Sequence, residues 1–99
     1  MPVYVIIDIA IIDQDVYEEY VAQLPSVVEQ YGGRYLVRGG EVVVLAGGWH
    51  PERIVVLEFE SIDQAQEYLA SPENLALAPL REKSITTRAV IVQGYEYDL

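Results

Sequence analysis

The sequence predicts an α+β protein with one antiparallel sheet and its helices packed on one face of that sheet. Segments rich in β-branched residues begin and end the chain, and two segments with apolar residues at helical spacing lie between them. The predicted order β-α-β-β-α-β is that of a four-stranded ferredoxin-like sandwich. Residues 1–99 are expected to form one such domain, because 99 residues can build one modest hydrophobic core.

The first strand and the first helix are both marked in the sequence. The strand is predicted over residues 3–10, where β-branched residues dominate. Asp13 or Asp15 can cap the helix that follows. Pro25 lies inside this helix and predicts a kink or a break, and the glycines 32–33 end it. The predicted buried stripe of the helix consists of Tyr17, Tyr20, Leu24, Val27, Val28 and Tyr31.

Two glycine pairs interrupt the second strand, which is predicted to begin near Arg34. The pair 39–40 would permit a bulge or bend before the strand continues through "EVVVLA", residues 41–46. The pair 47–48 would form a turn that brings Trp49 back over the sheet. A phosphate-binding loop is excluded, since no helix start follows these glycines.

The second half of the chain repeats the pattern. A third strand is predicted over residues 53–60, and Ser61 caps a helix whose buried side chains should be Ile62, Ala65 and Leu69. Ser71 caps a further short helical turn, which Pro79 ends or bends. The last strand is predicted over residues 85–93.

Alternation along the strands predicts two apolar sheet faces. The set expected under the helices is Val3, Val5, Ile7, Ile9, Val55, Leu57 and Phe59. The second, still largely apolar, set is Tyr4, Ile6, Asp8, Ile54, Val56 and Glu58. No third layer is available to cover the second set, which predicts a homodimer whose sheets meet and enclose a cavity.

Composition and charge exclude several kinds of partner. The formal net charge is -10, which disfavours nucleic acid and anionic membranes. The chain has no cysteine, and neither a metal-ligand spacing nor a phosphate-binding loop is visible, so we expect no cofactor and no metal. The apolar first segment contains Asp8 and is too short to span a bilayer. A cytoplasmic protein is expected.

A binding site is predicted in the cavity between the paired sheets. Arg38, or Arg34 in another register, would point into it near Asp8 and Glu58 and orient an anionic substrate. Glu58 or Asp8 would be a general base with a pKa raised by burial. The further residues expected to line this site are Tyr4, Tyr35, Trp49, His50 and Tyr68.

Several segments resemble a known family in order and spacing: "YVIIDI", "YGGRYLVRGG", "RIVVLEF", "YLASPE" and "PLR". They are similar to the small bacterial family called domain of unknown function 1330, and the resemblance covers nearly the whole chain. It implies a dimeric α/β barrel, in which two ferredoxin-like protomers pair their sheets face to face. Asn74 departs from the pattern, in which an aromatic residue commonly follows Ser-Pro-Glu. The matching positions are Arg38, Gly39, Gly40, Trp49, Glu58, Ser71 and Arg81.

The resemblance implies a fold but no particular reaction. Its wider superfamily includes cofactor-free monooxygenases, haem-degrading enzymes, muconolactone isomerase-like proteins and ligand-sensing domains, and a fold alone does not choose among them. Three functions therefore stay open. The protein is a cofactor-free enzyme acting on a small molecule, a binding or sensing module without turnover, or a structural dimer whose charged residues form only salt bridges.

Overall fold

The computed structural model describes residues 1–96 and confirms the predicted α+β fold. Its elements are β1 Val3–Ile11, α1 Gln14–Gln30, β2 Arg34–Arg38, β3 Arg53–Phe59, α2 Ile62–Leu69, α3 Pro72–Ala76, α4 Ala78–Ser84 and β4 Ile85–Gln93. The strands form one sheet in the order β2-β3-β1-β4, and every neighbouring pair is antiparallel.

The hydrophobic core lies between one face of the sheet and the helices. Its strand residues are those predicted from alternation, because facing pairs such as Val3 with Phe59 and Val5 with Leu57 share one face. The predicted stripe of α1 covers them, with Tyr17, Tyr20 and Val28 buried and Tyr31 packed at the edge. The apolar side chains thus fix which face receives the helices.

Helix α1 begins and ends at residues that the sequence indicated. The side chain of Asp13 accepts a hydrogen bond from the backbone N–H of Val16 at 3.1 Å, so Asp13 is the cap and Asp15 is not. Gly32 has φ +77°, the left-handed conformation that glycine supplies at a helix end. The helix continues through Pro25 as one element, so the predicted alternative of a break there is wrong.

The connection from β2 to β3 differs from the prediction. Residues 41–46 were expected to continue the strand, but the chain from residue 39 to residue 52 forms no strand. The last ladder contact is the N–H of Gly39, which donates to the carbonyl of Ile54 at 3.0 Å. Because β3 begins only at Arg53, no strand residue is left opposite the residues that follow Gly39, and they leave the sheet.

Helix α2 buries a narrower face than predicted. Ser61 is the cap, and its hydroxyl accepts from the N–H of Gln64 at 3.1 Å, as expected. Ile62 and Leu69 are exposed, which corrects their predicted burial. The helix has only eight residues, so one side suffices to cover β3. Its buried residues are Ala65 and Tyr68.

The segment after α2 contains two helices where one short turn was predicted. Ser71 caps α3, and its hydroxyl accepts from the N–H of Asn74 at 3.1 Å. Pro79 occupies the first turn of α4 and so begins a helix, whereas we expected it to end or bend one. Helix α4 packs against α1 and delivers the chain to β4.

No helix formed by residues 1–96 covers the opposite face of the sheet. Its apolar side chains lie on the three strands β1, β3 and β4, and Val90 remains 60% exposed. These residues are Tyr4, Ile6, Ile54, Val56, Val90 and Val92, and we call this surface the open face. None of the helices in residues 1–96 has the length and apolar character that crossing a membrane requires.

Candidate functional site

The residues predicted to form one site are divided between two sides of the sheet. A broad groove of about 860 Å³ on the open face is lined by Asp8, Trp49 and His50. A cavity of about 370 Å³ between the sheet and the helices is lined by residues that include Tyr35, Arg38 and Tyr68. The remaining two predicted residues, Tyr4 and Glu58, face each other across the strands of the open face.

Arg38 lies on the helix side of the sheet, and its predicted pairing with Glu58 is wrong. The ladder between β2 and β3 shifts between Tyr35 and Val37, which places one extra residue in β2. A single inserted residue reverses the alternation, so Arg38 changes face. Arg34 precedes the bulge and forms the ion pair with Glu58 at 2.6 Å, which is the alternative register.

Asp8 is fixed by two donors on the open face. The indole N–H of Trp49 donates to its carboxylate at 2.8 Å, and Nη2 of Arg88 donates at 2.9 Å. The Trp49 hydrogen bond, followed by that from Arg88, holds the pKa of Asp8 below its usual value, which contradicts the raised pKa expected for a general base. The arrangement suits a structural contact that anchors the loop of Trp49 on the sheet.

The cavity on the helix side has an apolar wall and a set of aromatic rings. Aliphatic side chains of β1, β3 and α1 form the wall, including Val5, Leu57 and Leu24. Four tyrosines complete the lining, and they are Tyr17, Tyr20, Tyr35 and Tyr68. Such a combination of apolar wall and few polar groups is typical of small-molecule sites.

Three arginines reach this cavity from three different elements, β2, β3 and α4. Each guanidinium lies over a tyrosine ring, a position stabilised by cation–π attraction. The distances from guanidinium carbon to ring centroid are 5.0 Å for Arg38 and Tyr35, 5.6 Å for Arg53 and Tyr17, and 5.7 Å for Arg81 and Tyr20. Among residues 1–96, none of the three forms an ion pair with a carboxylate.

Arg53 differs from the other two arginines in having a buried hydrogen-bond donor without a partner in residues 1–96. Its Nε is buried and has no hydrogen-bond partner within the described part of the chain. The guanidinium lies directly against Gly39, where a Cβ atom would overlap it, and Gly39 has φ +72°. A buried donor without a partner is costly, so the position is suited to a ligand that supplies an acceptor.

Arg81 is held in place by neighbours on α1 and α3. Its Nε donates to the hydroxyl of Tyr20 at 3.2 Å, and its Nη2 donates to both the carbonyl oxygen and Oδ1 of Asn74, at 3.0 and 3.1 Å. Asn74 is buried and donates in turn to the carbonyl of Leu69 at 3.1 Å. The residue that departs from the resembled pattern therefore orients an arginine of the cavity.

The charges of the cavity contrast with those of the whole chain. The protein has 6 basic and 16 acidic residues, yet three of those basic residues line this one cavity. In the part of the chain that the structure describes, no aspartate, glutamate or histidine lines it. Arg34 and Arg88 are ion-paired on the open face. Within residues 1–96, no cluster of histidine, aspartate and glutamate could hold a metal ion.

Sequence reasoning did not assign a site role to Arg53, Tyr17 or Tyr20, and it noted Arg81 only as a matching family position. A signal for Arg53 was present, because it stands two residues before Val55 and in phase with the buried side of β3. A charged residue that alternation places on the buried face of a strand indicates a cavity or a buried partner. The tyrosines gave no such signal, since a core helix stripe explains them equally well.

The sequence matches the family described as "Domain of unknown function (DUF1330)" over residues 2–95. The chain belongs to this family. The match extends over all the helices and strands of the fold, and the resemblance seen in the sequence is thereby confirmed. No protein with curated annotation matches the chain significantly.

Solved structures share the fold of this DUF1330 chain at low sequence identity. A protein of unknown function from Rhodopseudomonas palustris has a TM-score of 0.78 at 16% identity, covering 97% of this chain and 84% of its own. SnoaB of Streptomyces nogalater, a cofactor-independent oxygenase, has a TM-score of 0.67 at 13% identity, with coverage of 97% and 95%. At these identities the similarity establishes the fold alone.

A third structure bears on assembly. It is a dimeric ferredoxin-like protein of unknown function from Thermobifida fusca, with a TM-score of 0.63 at 17% identity over 93% of this chain and 90% of its own. The ferredoxin-like architecture of the DUF1330 chain is thus shared with a protein described as a dimer.

Proposed function

We propose that this protein binds a small organic anion in the cavity between its helices and its sheet. The observation that carries the proposal is the convergence of Arg38, Arg53 and Arg81 on a cavity to which residues 1–96 contribute no acidic side chain. In a chain of net charge -10, an internal carboxylate would be the ordinary counter-charge for a half-buried arginine. Its absence from the lining leaves the role of counter-charge to a ligand.

The shape and lining of the cavity define the ligand further. A volume of about 370 Å³ is within the range of small-molecule sites. Guanidinium groups match the planar geometry of carboxylates and related oxyanions, and the tyrosine rings suit a flat, apolar body. The proposed ligand is therefore an aromatic or unsaturated molecule with one ionised oxygen group.

We also propose that the protein works as a homodimer. The open face leaves apolar residues such as Ile6 and Val56 without a covering layer, and a second copy of the same face is the economical cover. The dimeric protein of Thermobifida fusca has the same kind of fold. In such a dimer the helix-side cavity of each protomer remains separate from the interface.

A second candidate function is catalysis on the bound anion without a cofactor. The similarity to SnoaB favours it, and guanidinium groups can stabilise negative charge that develops on a reacting oxygen. Oxygen uptake measured with an electrode, in the presence of a series of phenols and enols, should then exceed that of an Arg53→Met variant. If the parent protein binds the compound but takes up oxygen no faster than Arg53→Met, binding or sensing would be left as the function.

The binding proposal is tested by calorimetric titration with paired probes, each an aromatic carboxylate and its neutral amide, such as benzoate and benzamide. The carboxylate should bind more tightly, by at least about 10-fold, because hydrogen bonds to charged groups contribute about 1.5–3 kcal/mol. Arg53→Met should weaken carboxylate binding by roughly 10–100-fold.

Lys83→Met is the matched control, since it removes one positive charge from α4 without touching the cavity. This variant should bind carboxylates within about 2-fold of the parent, because exposed charges are screened by solvent. The proposal is rejected if no carboxylate binds better than its amide. It is equally rejected if Lys83→Met and Arg53→Met weaken binding to the same extent.

A further inference from the structure

The polar side chains that line the cavity within residues 1–96 include no base that would take a proton at neutral pH; besides the three arginines they are Asn74, Thr87 and four tyrosines. The guanidiniums of Arg38, Arg53 and Arg81 donate only, and residues 1–96 contribute no carboxylate or imidazole to the lining. The acceptor oxygen of Asn74 is already used by Arg81. A ligand oxygen that enters this space therefore meets N–H and O–H groups and no group that would take its proton.

The tyrosine hydroxyls strengthen this donor character. Burial raises the pKa of Tyr35 to about 12, and it raises the pKa of Tyr68 as well. Both hydroxyls are protonated at neutral pH, and neither makes a hydrogen bond to another residue within the described range 1–96. They can donate to a ligand oxygen, but they cannot act as bases for it.

We infer that the cavity also takes weak oxygen acids, namely phenols and enols, and binds them as their anions by releasing their proton to solvent. This inference rests on the proposed anion site and deepens it by naming the ligand class. The O–H bond of the ligand breaks, its electron pair stays on the oxygen, and the proton goes to water or buffer because the lining offers no base. Carboxylic acids are already ionised at neutral pH, so only weaker acids change form on entry.

Two opposing effects act on the pKa of the bound ligand. The apolar wall disfavours a charged oxygen, whereas each nearby guanidinium favours it by about 1–3 pKa units. A neutral ligand would also cover Arg53 and Arg81 while leaving them without a counter-charge, which is the most costly outcome. The exposed position of Arg38 at the edge keeps the cavity partly hydrated, so the desolvation penalty is incomplete. The arginines therefore outweigh the desolvation, and the pKa of the bound ligand is lowered.

The test uses para-nitrophenol, whose anion absorbs visible light and whose neutral form does not. Absorbance is titrated with the intact protein at a pH one unit below the pKa of the free probe. The bound probe should be at least about half ionised, which corresponds to a pKa lowered by at least about one unit. Proton release, followed with an indicator in weakly buffered solution, should match the amount of anion formed.

Four controls identify the site and the cause of the pKa shift. Benzoate should displace the probe, and para-nitroanisole, which has no proton to lose, should bind at least about 10-fold more weakly. Arg53→Met should abolish most of the pKa shift, whereas Lys83→Met should preserve it. Failure of the probe to bind while carboxylates do bind rejects phenols as the ligand class.

The outcomes of this experiment distinguish the inference from the proposed anion site on which it rests. If para-nitrophenol binds and benzoate displaces it, but its pKa is unchanged or raised, the inference is wrong and the anion site stands. If neither benzoate nor para-nitrophenol binds, the anion site itself is wrong and the inference falls with it. A lowered pKa that survives Arg53→Met unchanged assigns the effect to another part of the protein and also rejects the inference.

Discussion

The position of the Arg53 side chain depends on the backbone beside it. Its guanidinium lies between the ring of Tyr17 and the backbone of Gly39, where a Cβ atom would overlap it. Gly39 also adopts φ +72°, a backbone conformation that residues other than glycine rarely adopt. The glycine therefore serves both the turn out of β2 and the position of the arginine.

Gly39→Ala tests both roles, because it should change stability through the turn and binding through Arg53. The substitution is expected to cost about 1 kcal/mol of unfolding free energy through backbone strain. It should also displace Arg53 and weaken carboxylate binding by roughly 10-fold. Urea denaturation and calorimetric titration measure the two effects.

Gly40→Ala is the control for this experiment. A Cβ atom at Gly40 would have no other atom within 4 Å, and the residue does not have a positive φ, so alanine should fit there. Both stability and binding should stay close to those of the parent. If Gly40→Ala weakens binding as much as Gly39→Ala does, the contact between Gly39 and Arg53 is not what positions the guanidinium.

At the scale of elements, the bulge in β2 has the largest consequence for the site. It reverses the alternation between Arg34 and Arg38, so that one arginine pairs with Glu58 on the open face and the other reaches the helix-side cavity. Without the bulge, strict alternation would put both arginines on the same face. The position of an extra residue in a strand depends on the partner strand, which explains why the sequence left the register undecided.

Helix α1 allows a direct test of a choice that the sequence left open. Asp13 caps the helix through Val16, whereas Asp15 lies in its first turn. Asp13→Ala should lower the unfolding free energy by about 1 kcal/mol, because the N–H of Val16 loses its acceptor. Asp15→Ala should cost only about 0.3 kcal/mol, the favourable interaction with the helix dipole.

Urea denaturation of both variants at one protein concentration measures this difference, since association would otherwise change the apparent stability. Equal losses for the two variants would show that the cap does not depend on Asp13. A larger loss for Asp15→Ala would assign the capping role to the residue that the structure places inside the helix.

At the scale of the whole molecule, the sheet has two apolar faces and the helices cover one. The open face carries Ile6, Val56 and Val90 near its centre, with the pairs of Arg34 with Glu58 and Arg88 with Asp8 among them. Exposed apolar surface of this kind indicates an interface. A symmetric pairing of two open faces would bury it without new elements.

Ile6→Lys should therefore weaken the dimer by at least about 100-fold, because a lysine would be desolvated between the sheets without a partner. Light scattering coupled to gel filtration at micromolar concentrations measures the oligomeric state. Ile62→Lys is the matched control, since Ile62 is an exposed isoleucine on α2, away from the open face. This control should leave the dimer intact.

A monomeric parent protein would refute the homodimer outright. An Ile6→Lys variant that stays dimeric would place the interface on another surface, provided that circular dichroism shows a folded chain. Loss of association in Ile62→Lys as well would indicate a general effect of added lysine and would remove the support for the open face.

The amino-acid sequence was enough to predict the order of the strands and the two longer helices, the two apolar faces, most of the helix caps and the family of this protein. These features depend on local spacing and on the chemistry of neighbouring residues, which the chain carries directly. The candidate site, by contrast, depends on contacts between elements that are distant in the chain. Arg38, Arg53 and Arg81 stand far apart in the chain, and they meet because a bulge turns β2, β3 pairs beside it and α4 packs on α1. Register and packing arise between elements, so no single segment of the sequence contains them.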